Sequence, residues 1–172
     1  LAECYAVQED FPNAIAELRA AAKLRPDDYL VQLNLGVLLG RTGQIAESEK
    51  AYQAVLKIRP NDPQALNNLG WLYYSQKKYA FAIANLQKAV AAKPDFLPAR
   101  QNLAASYQAD GQTDKAIECW RQVAQVTPKD IAPRVALGNL YLKKKDYASA
   151  RTEFEAVLAG GRQDQAVLIG LA

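Results

Sequence analysis

Histidine and methionine are absent from this 172-residue chain, and cysteine occurs only twice. Without histidine there is no imidazole base, no Ser–His or Cys–His pair, and none of the commonest zinc ligand. No GxGxxG, phosphate-binding loop, GxSxG elbow or Cys-x-x-Cys pair takes its place. Close carboxylates do occur, at Asp27 and Asp28, Glu47 and Glu49, and Glu153 and Glu155, but near helix ends or on outward faces, where they read as solvated surface. No catalytic residue, metal ligand or cofactor is therefore expected, and the chain is not expected to be an enzyme. Nor does any window approach the roughly 20 apolar residues of a membrane span, so direct membrane insertion is not expected. No signal peptide is recognisable. Twenty-one Lys and Arg against eighteen Asp and Glu leave a net charge of +3, too balanced for a nucleic-acid-binding footprint.

What the chain has is a period. Leucine recurs at Leu1, Leu35, Leu69, Leu103, Leu137 and Leu171, a spacing of 34 residues without insertion or deletion. Each leucine precedes a small residue: Ala2, Gly36, Gly70, Ala104, Gly138, Ala172. A fixed period of this length marks a solenoid, whose units bury their apolar faces only by stacking on neighbours. With the leucine set at position seven, position eleven holds Tyr5, Leu39, Tyr73, Tyr107 and Tyr141. Position twenty holds Ala14, Ser48, Ala82, Ala116 and Ala150, and position twenty-four holds Leu18, Tyr52, Leu86, Trp120 and Phe154.

Apolar residues three and four apart predict two amphipathic helices per unit. Polar or glycine-bearing turns split them, as at Thr42-Gly43-Gln44, Gln76-Lys77-Lys78 and Asp110-Gly111-Gln112. Asp10 and Asp146 stand where an N-cap is wanted, and Pro12, Pro63, Pro98 and Pro133 fall in first turns, where proline is tolerated. Pro26, Pro60, Pro94 and Pro128 close the second helices. Small residues at eight and twenty are expected to let helices approach, with the bulky residues at eleven and twenty-four filling the space between units. Stacking of this kind keeps Cys4 and Cys119 apart, so no disulfide is expected, and two unpaired cysteines leave the compartment open. Lys143-Lys144-Lys145 is expected to be a solvated helix C-terminus, where the helix dipole favours cations.

This pattern closely resembles the tetratricopeptide repeat family over the whole chain. The resemblance implies an all-α, right-handed superhelical solenoid of antiparallel helix pairs. It divides a single domain, 1–172, into a truncated unit 1–28, full units 29–62, 63–96, 97–130 and 131–164, and a terminal helix 165–172 expected to cover the last unit. Gly160 and Gly161 are expected to stop the helix before it. The fixed period argues against the pentatricopeptide relatives that read RNA, whose unit is longer. The chain lacks an initiator Met and opens partway through a unit, so it is expected to be a segment of a longer protein.

In this family the first helix of each unit lines the concave wall, chiefly through positions two, five, six, nine, twelve and thirteen. Position six is Asn34, Asn68 and Asn102 in three successive units. An amide offers both donor and acceptor, so such a ladder suits a peptide backbone of any sequence. Beside it stand Leu30, Leu33 and Val37 in one unit and Trp71 and Tyr74 in the next, with Asn67 and Gln101 at position five. Apolar patches rimmed by amides mark binding surfaces, and Trp and Tyr are frequent hot spots. The lysines of the clamp-type members that hold chaperone tails are missing from positions five and nine, so that ligand is disfavoured. The expected function is a protein–protein interaction scaffold holding an extended or helical peptide. The partner is a protein or peptide, not nucleic acid. The alternatives are self-association through the incomplete terminal units, docking within a parent protein, or substrate recruitment for a larger enzyme.

Overall fold

The structure, a computed structural model, describes residues 10–159. Cys4, the truncated first helix, the Gly160-Gly161 stop and the covering segment 165–172 lie outside the described residues. Among the described residues there are nine α-helices and no strand: α1 (Phe11–Leu24), α2 (Tyr29–Arg41), α3 (Ile45–Ile58), α4 (Pro63–Ser75), α5 (Tyr79–Ala92), α6 (Leu97–Ala109), α7 (Thr113–Val126), α8 (Ala132–Lys143) and α9 (Tyr147–Ala159). None of these is long and apolar enough to cross a membrane. The chain divides into two compact units, Leu1–Ala99 and Arg100–Ala172.

Proline and aspartate set the helix limits as the sequence predicts. Pro26 and Pro60 follow the last residues of α1 and α3, and Pro94 and Pro128 follow those of α5 and α7. The Asp28 and Asp62 carboxylates accept from the Val31 and Ala65 amides at 3.3 and 2.9 Å, taking up donors that the helix itself leaves unpaired. Asp10 and Asp146 do the same for α1 and α9 through the Asn13 and Ser149 amides, at 3.4 and 3.2 Å.

Each helix pair turns through one recurrent geometry. The Gln44 amide donates to the Leu39 carbonyl at 2.8 Å and Gly43 to Gly40 at 3.2 Å, the two bonds of a Schellman turn. The residue between them must be left-handed: Gly43 has φ +77° and Gly111 φ +79°, but Lys77 and Lys145 hold φ of +59° and +60°. An L-residue with a side chain is strained there. Lys77→Gly and Lys145→Gly are each expected to raise stability by about 0.5–1 kcal/mol, the left-handed penalty less glycine's entropy. A higher urea midpoint measures it, and an unchanged or lower one refutes it.

In the first unit, small position-eight residues admit the bulky residue at twenty-four of the same repeat. A Cβ added to Gly36 would sit 2.6 Å from Tyr52, and one added to Gly70 2.6 Å from Leu86. Tyr52 also packs with Leu69 and Leu72 of the next repeat. Position twenty-four thus fills space within its own repeat as well as between repeats, an addition to the sequence expectation. Ser48, which departs from the small alanine of its column, is fully buried and donates to the Gly36 carbonyl at 2.7 Å. Further along, Leu66, Ala89 and Ala99 form a smaller cluster with Leu56, Val90 and Phe96.

The second unit repeats the plan. Phe154 is fully buried, with Gly138 leaving room for its ring, and Val123 and Val157 close the core. Arg134 pairs with Glu153 at 3.0 Å across α8 and α9.

Candidate functional site

Leu30, Asn34, Val37 and Arg41 follow one another along α2 at steps of three and four, and so share a face. Leu30, Asn34 and Arg41 are exposed, and Val37 is half-buried. On α4 the same spacing groups Asn68, Trp71 and Ser75, half-buried, exposed and exposed respectively. These faces enclose a cleft of about 280 Å³. Val37 and Arg41 of α2, Ile45 and Tyr52 of α3, and Asn68, Trp71 and Ser75 of α4 line it, and no carboxylate does.

Trp71 carries the cleft's largest apolar surface and is 49% exposed. Its indole stacks on Tyr74, centroids 4.9 Å apart and planes 10° apart, and Tyr74 meets Tyr79 at 5.6 Å. The stack fixes the indole from one side along its own helix. A large, rigid ring already ordered before a ligand arrives loses little entropy on binding.

The other expected residues divide. Leu33 is buried in the core with Tyr52, Val55 and Leu69, so it supports the wall rather than offering surface. Asn67 is buried as well, and its side-chain amide donates to the Asn68 side-chain oxygen Oδ1 at 3.3 Å. Asn68 also reaches the Tyr52 hydroxyl. It therefore ties α4 to α3 while lining the cleft. Asn34 stands exposed on α2. Gln101 and Asn102 lie on α6 in the second unit, both half-buried.

Arg41, Ser75 and Ile45 were not among the expected residues. Arg41 and Ser75 both occupy position thirteen, a wall position on the same face as position nine, so their place was readable from the spacing. Ile45 opens α3 and carried no such signal.

Burial pushes the Tyr52 phenol up to about 12, against the Ser48 hydroxyl and Asn68 amide beside it, which pull it down. Burial and then the Glu49 carboxylate, which accepts from the Tyr73 hydroxyl at 2.7 Å, likewise raise Tyr73 to about 12. A folded-state value above the unfolded one near 10 favours the protonated native form. The tyrosine contribution is complete below about pH 10 and is lost as pH rises toward 12. Urea titrations are expected to show stability declining through that window, less steeply in Tyr52→Phe. The same alkaline slope in both proteins would refute the assignment.

Elsewhere the chemistry is sparse. Among the described residues no group of three or more His, Cys, Asp or Glu could hold a metal ion. Cys119 is half-buried, and burial pushes its thiol up, away from the reactive thiolate. Within Lys143-Lys144-Lys145, Lys144 donates to Asp114 at 2.5 Å, and this hydrogen bond raises its ammonium above the usual range. Lys145 forms the left-handed turn.

Comparison with known proteins places this geometry. One tetratricopeptide repeat family model matches residues 27–95, and a second matches residues 73–132 and 109–172. The chain is 28% identical over 156 residues to anaphase-promoting complex subunit CDC16 of Saccharomyces cerevisiae, covering 87% of this chain and 19% of that protein. It is 32% identical over 108 residues to the peroxisomal targeting signal receptor of Kluyveromyces lactis, covering 63% of this chain and 18% of that protein. The chain thus spans less than a fifth of the length of either relative. Among solved structures, MamA residues 41-end from Desulfovibrio magneticus RS-1 superimpose with a TM-score of 0.87 at 25% identity, covering 95% of this chain and 93% of that one. With family models matching well over half of it and every described helix in the expected place, the chain belongs to the tetratricopeptide repeat family, an all-α helical repeat that serves as a protein–protein interaction scaffold.

Proposed function

We propose that the α2–α4 face of the first unit binds an extended or helical peptide segment of a partner protein. The observation that carries the reading is the cleft, where a half-exposed, pre-stacked indole stands beside an amide, a hydroxyl and a guanidinium, with no carboxylate lining it. Trp71 and Val37 supply the apolar contact, with Leu30 adding exposed surface one turn beyond Asn34. Asn68 and Ser75 meet backbone groups, and Arg41 meets a backbone carbonyl or an acidic side chain of the ligand. This reading asks for no catalysis: no carboxylate or cysteine lines the cleft. Nucleic acid is not its partner in this reading, since 21 Lys and Arg are nearly offset by 18 Asp and Glu. The similarity to a targeting signal receptor and to a subunit of a large complex supports binding to protein.

The test is selection of peptides from a random display library, followed by Kd measurement on the tightest by fluorescence anisotropy. Trp71→Ala is expected to weaken binding about 30-fold, the loss of a hot spot worth about 2 kcal/mol. Asn34→Ala with Asn68→Ala is expected to weaken it less, with helicity checked by circular dichroism because Asn68 also ties α4 to α3. Unchanged affinity in both variants discards this site.

A further inference from the structure

The repeat breaks its own pattern once at position eleven. Leu39 stands where the other units carry Tyr5, Tyr73, Tyr107 and Tyr141. Where the structure describes those rings, the surrounding side chains engage them. The Tyr73 hydroxyl donates to Glu49, on the second helix of the preceding repeat, at 2.7 Å. Arg121, also on a preceding second helix, donates to the Tyr141 hydroxyl at 2.6 Å. Tyr107 lies buried, with the Lys115 ammonium 5.5 Å from its ring centroid.

Leucine has neither the ring nor the hydroxyl, and beside Leu39 the surface opens into a hollow of about 200 Å³. Its floor is the outer edge of the core, where Leu35, Leu39 and Ala51 are themselves buried, and Arg19, Glu47 and Lys50 bring charge to its rim. Arg19 holds position twenty-five of its repeat, the place Arg121 holds in the second unit. Its guanidinium is fixed by Glu47 at 2.6 Å and Gln44 at 2.9 Å. The hollow shares no lining residue with the Trp71 cleft.

We propose that this hollow docks a tyrosine side chain of a partner protein. The protein's own repeats show half of the fit: Arg121, at the position Arg19 holds, donates to the Tyr141 hydroxyl, whereas Glu47 comes from Leu39's own repeat and has no counterpart in the Tyr73–Glu49 bond. Here Arg19 and Glu47 present donor and acceptor together. The two are paired with each other and still part-exposed; a phenol both donates and accepts, so its hydroxyl adds a bond to that pair, which a benzyl ring cannot, and a carboxylate or phosphate faces Glu47. The surface is independent of the peptide cleft, so a partner can use either or both.

The probes are N-acetyl-tyrosinamide and N-acetyl-phenylalaninamide, titrated while following the Leu35 and Leu39 methyl resonances. Saturable shifts are expected with the first, and binding about five-fold weaker with the second, the loss of one hydrogen bond. Arg19→Ala should reduce the tyrosine probe to the level of the phenylalanine one. Leu39→Tyr should abolish binding of both and raise the unfolding temperature, because the protein's own ring then fills the hollow. Trp71→Ala should change none of this, which separates failure here from failure of the peptide cleft. No saturable shift in the parent protein, equal binding of the two probes, or undiminished binding to Leu39→Tyr would overturn the proposal.

Discussion

Leu86→Ala is expected to lower stability by about 2–5 kcal/mol, because the side chain is fully buried and its removal leaves a cavity as well as losing transfer energy. The more telling result is its coupling to Gly70. In the parent protein Gly70→Ala places a methyl 2.6 Å from the Leu86 Cγ and 3.3 Å from the Ala82 carbonyl. Overpacking of that kind costs about 1–3 kcal/mol, more than the ~1 kcal/mol by which alanine improves on glycine in a helix. In the Leu86→Ala background the methyl enters vacated space, so Gly70→Ala should become neutral or stabilising. A double-mutant cycle from urea denaturation measures the coupling. Additive effects would show that the glycine is not there to admit the leucine.

Phe154→Ala is expected to cost about 3–5 kcal/mol for the same reason, in the second unit. Phe154→Leu should cost far less, since leucine already fills the equivalent space above Gly70 in the first unit. Repeat proteins lose stability through nearest neighbours, so amide exchange should accelerate first in α8 and α9. Uniform acceleration from α7 to α9, or equal losses for the two substitutions, would contradict this packing.

Much of this architecture was legible because each signal was repeated. A proline after four of the second helices and an aspartate before several helices leave few choices for those ends, and the helices concerned begin and stop there. Position eight was legible as small, but the residue it admits was not. Whether a large side chain leans into its own repeat or the next depends on rotamer and helix crossing, which the column Leu18, Tyr52, Leu86, Trp120 and Phe154 does not encode. Ser48 looked like a lapse from alanine, yet its hydroxyl reaches a helical carbonyl that a list of residues does not bring near.

The candidate cleft was legible in outline. Helical spacing alone put Val37, Asn68 and Trp71 on facing sides, and the structure gathers all three into one cleft. The same spacing put Leu33 and Asn67 on the wall, but position five lies at the edge of that face, where a slight helix rotation decides between core and solvent. Both turn inward. Arg41 and Ser75, at position thirteen, lie one turn beyond Val37 and Trp71 on the same helical faces and line the cleft with them.

The pairing of glycine with a bulky ring or leucine closes inside single 34-residue segments. Such a segment carries both halves of its tightest fit. Whole copies can therefore be duplicated, deleted or exchanged along an array with that fit intact, while a cut through the middle of one separates the partners. Lineages that lengthen or shorten such arrays are then held to integral steps, and a tandem second copy of residues 63–96 should graft cleanly.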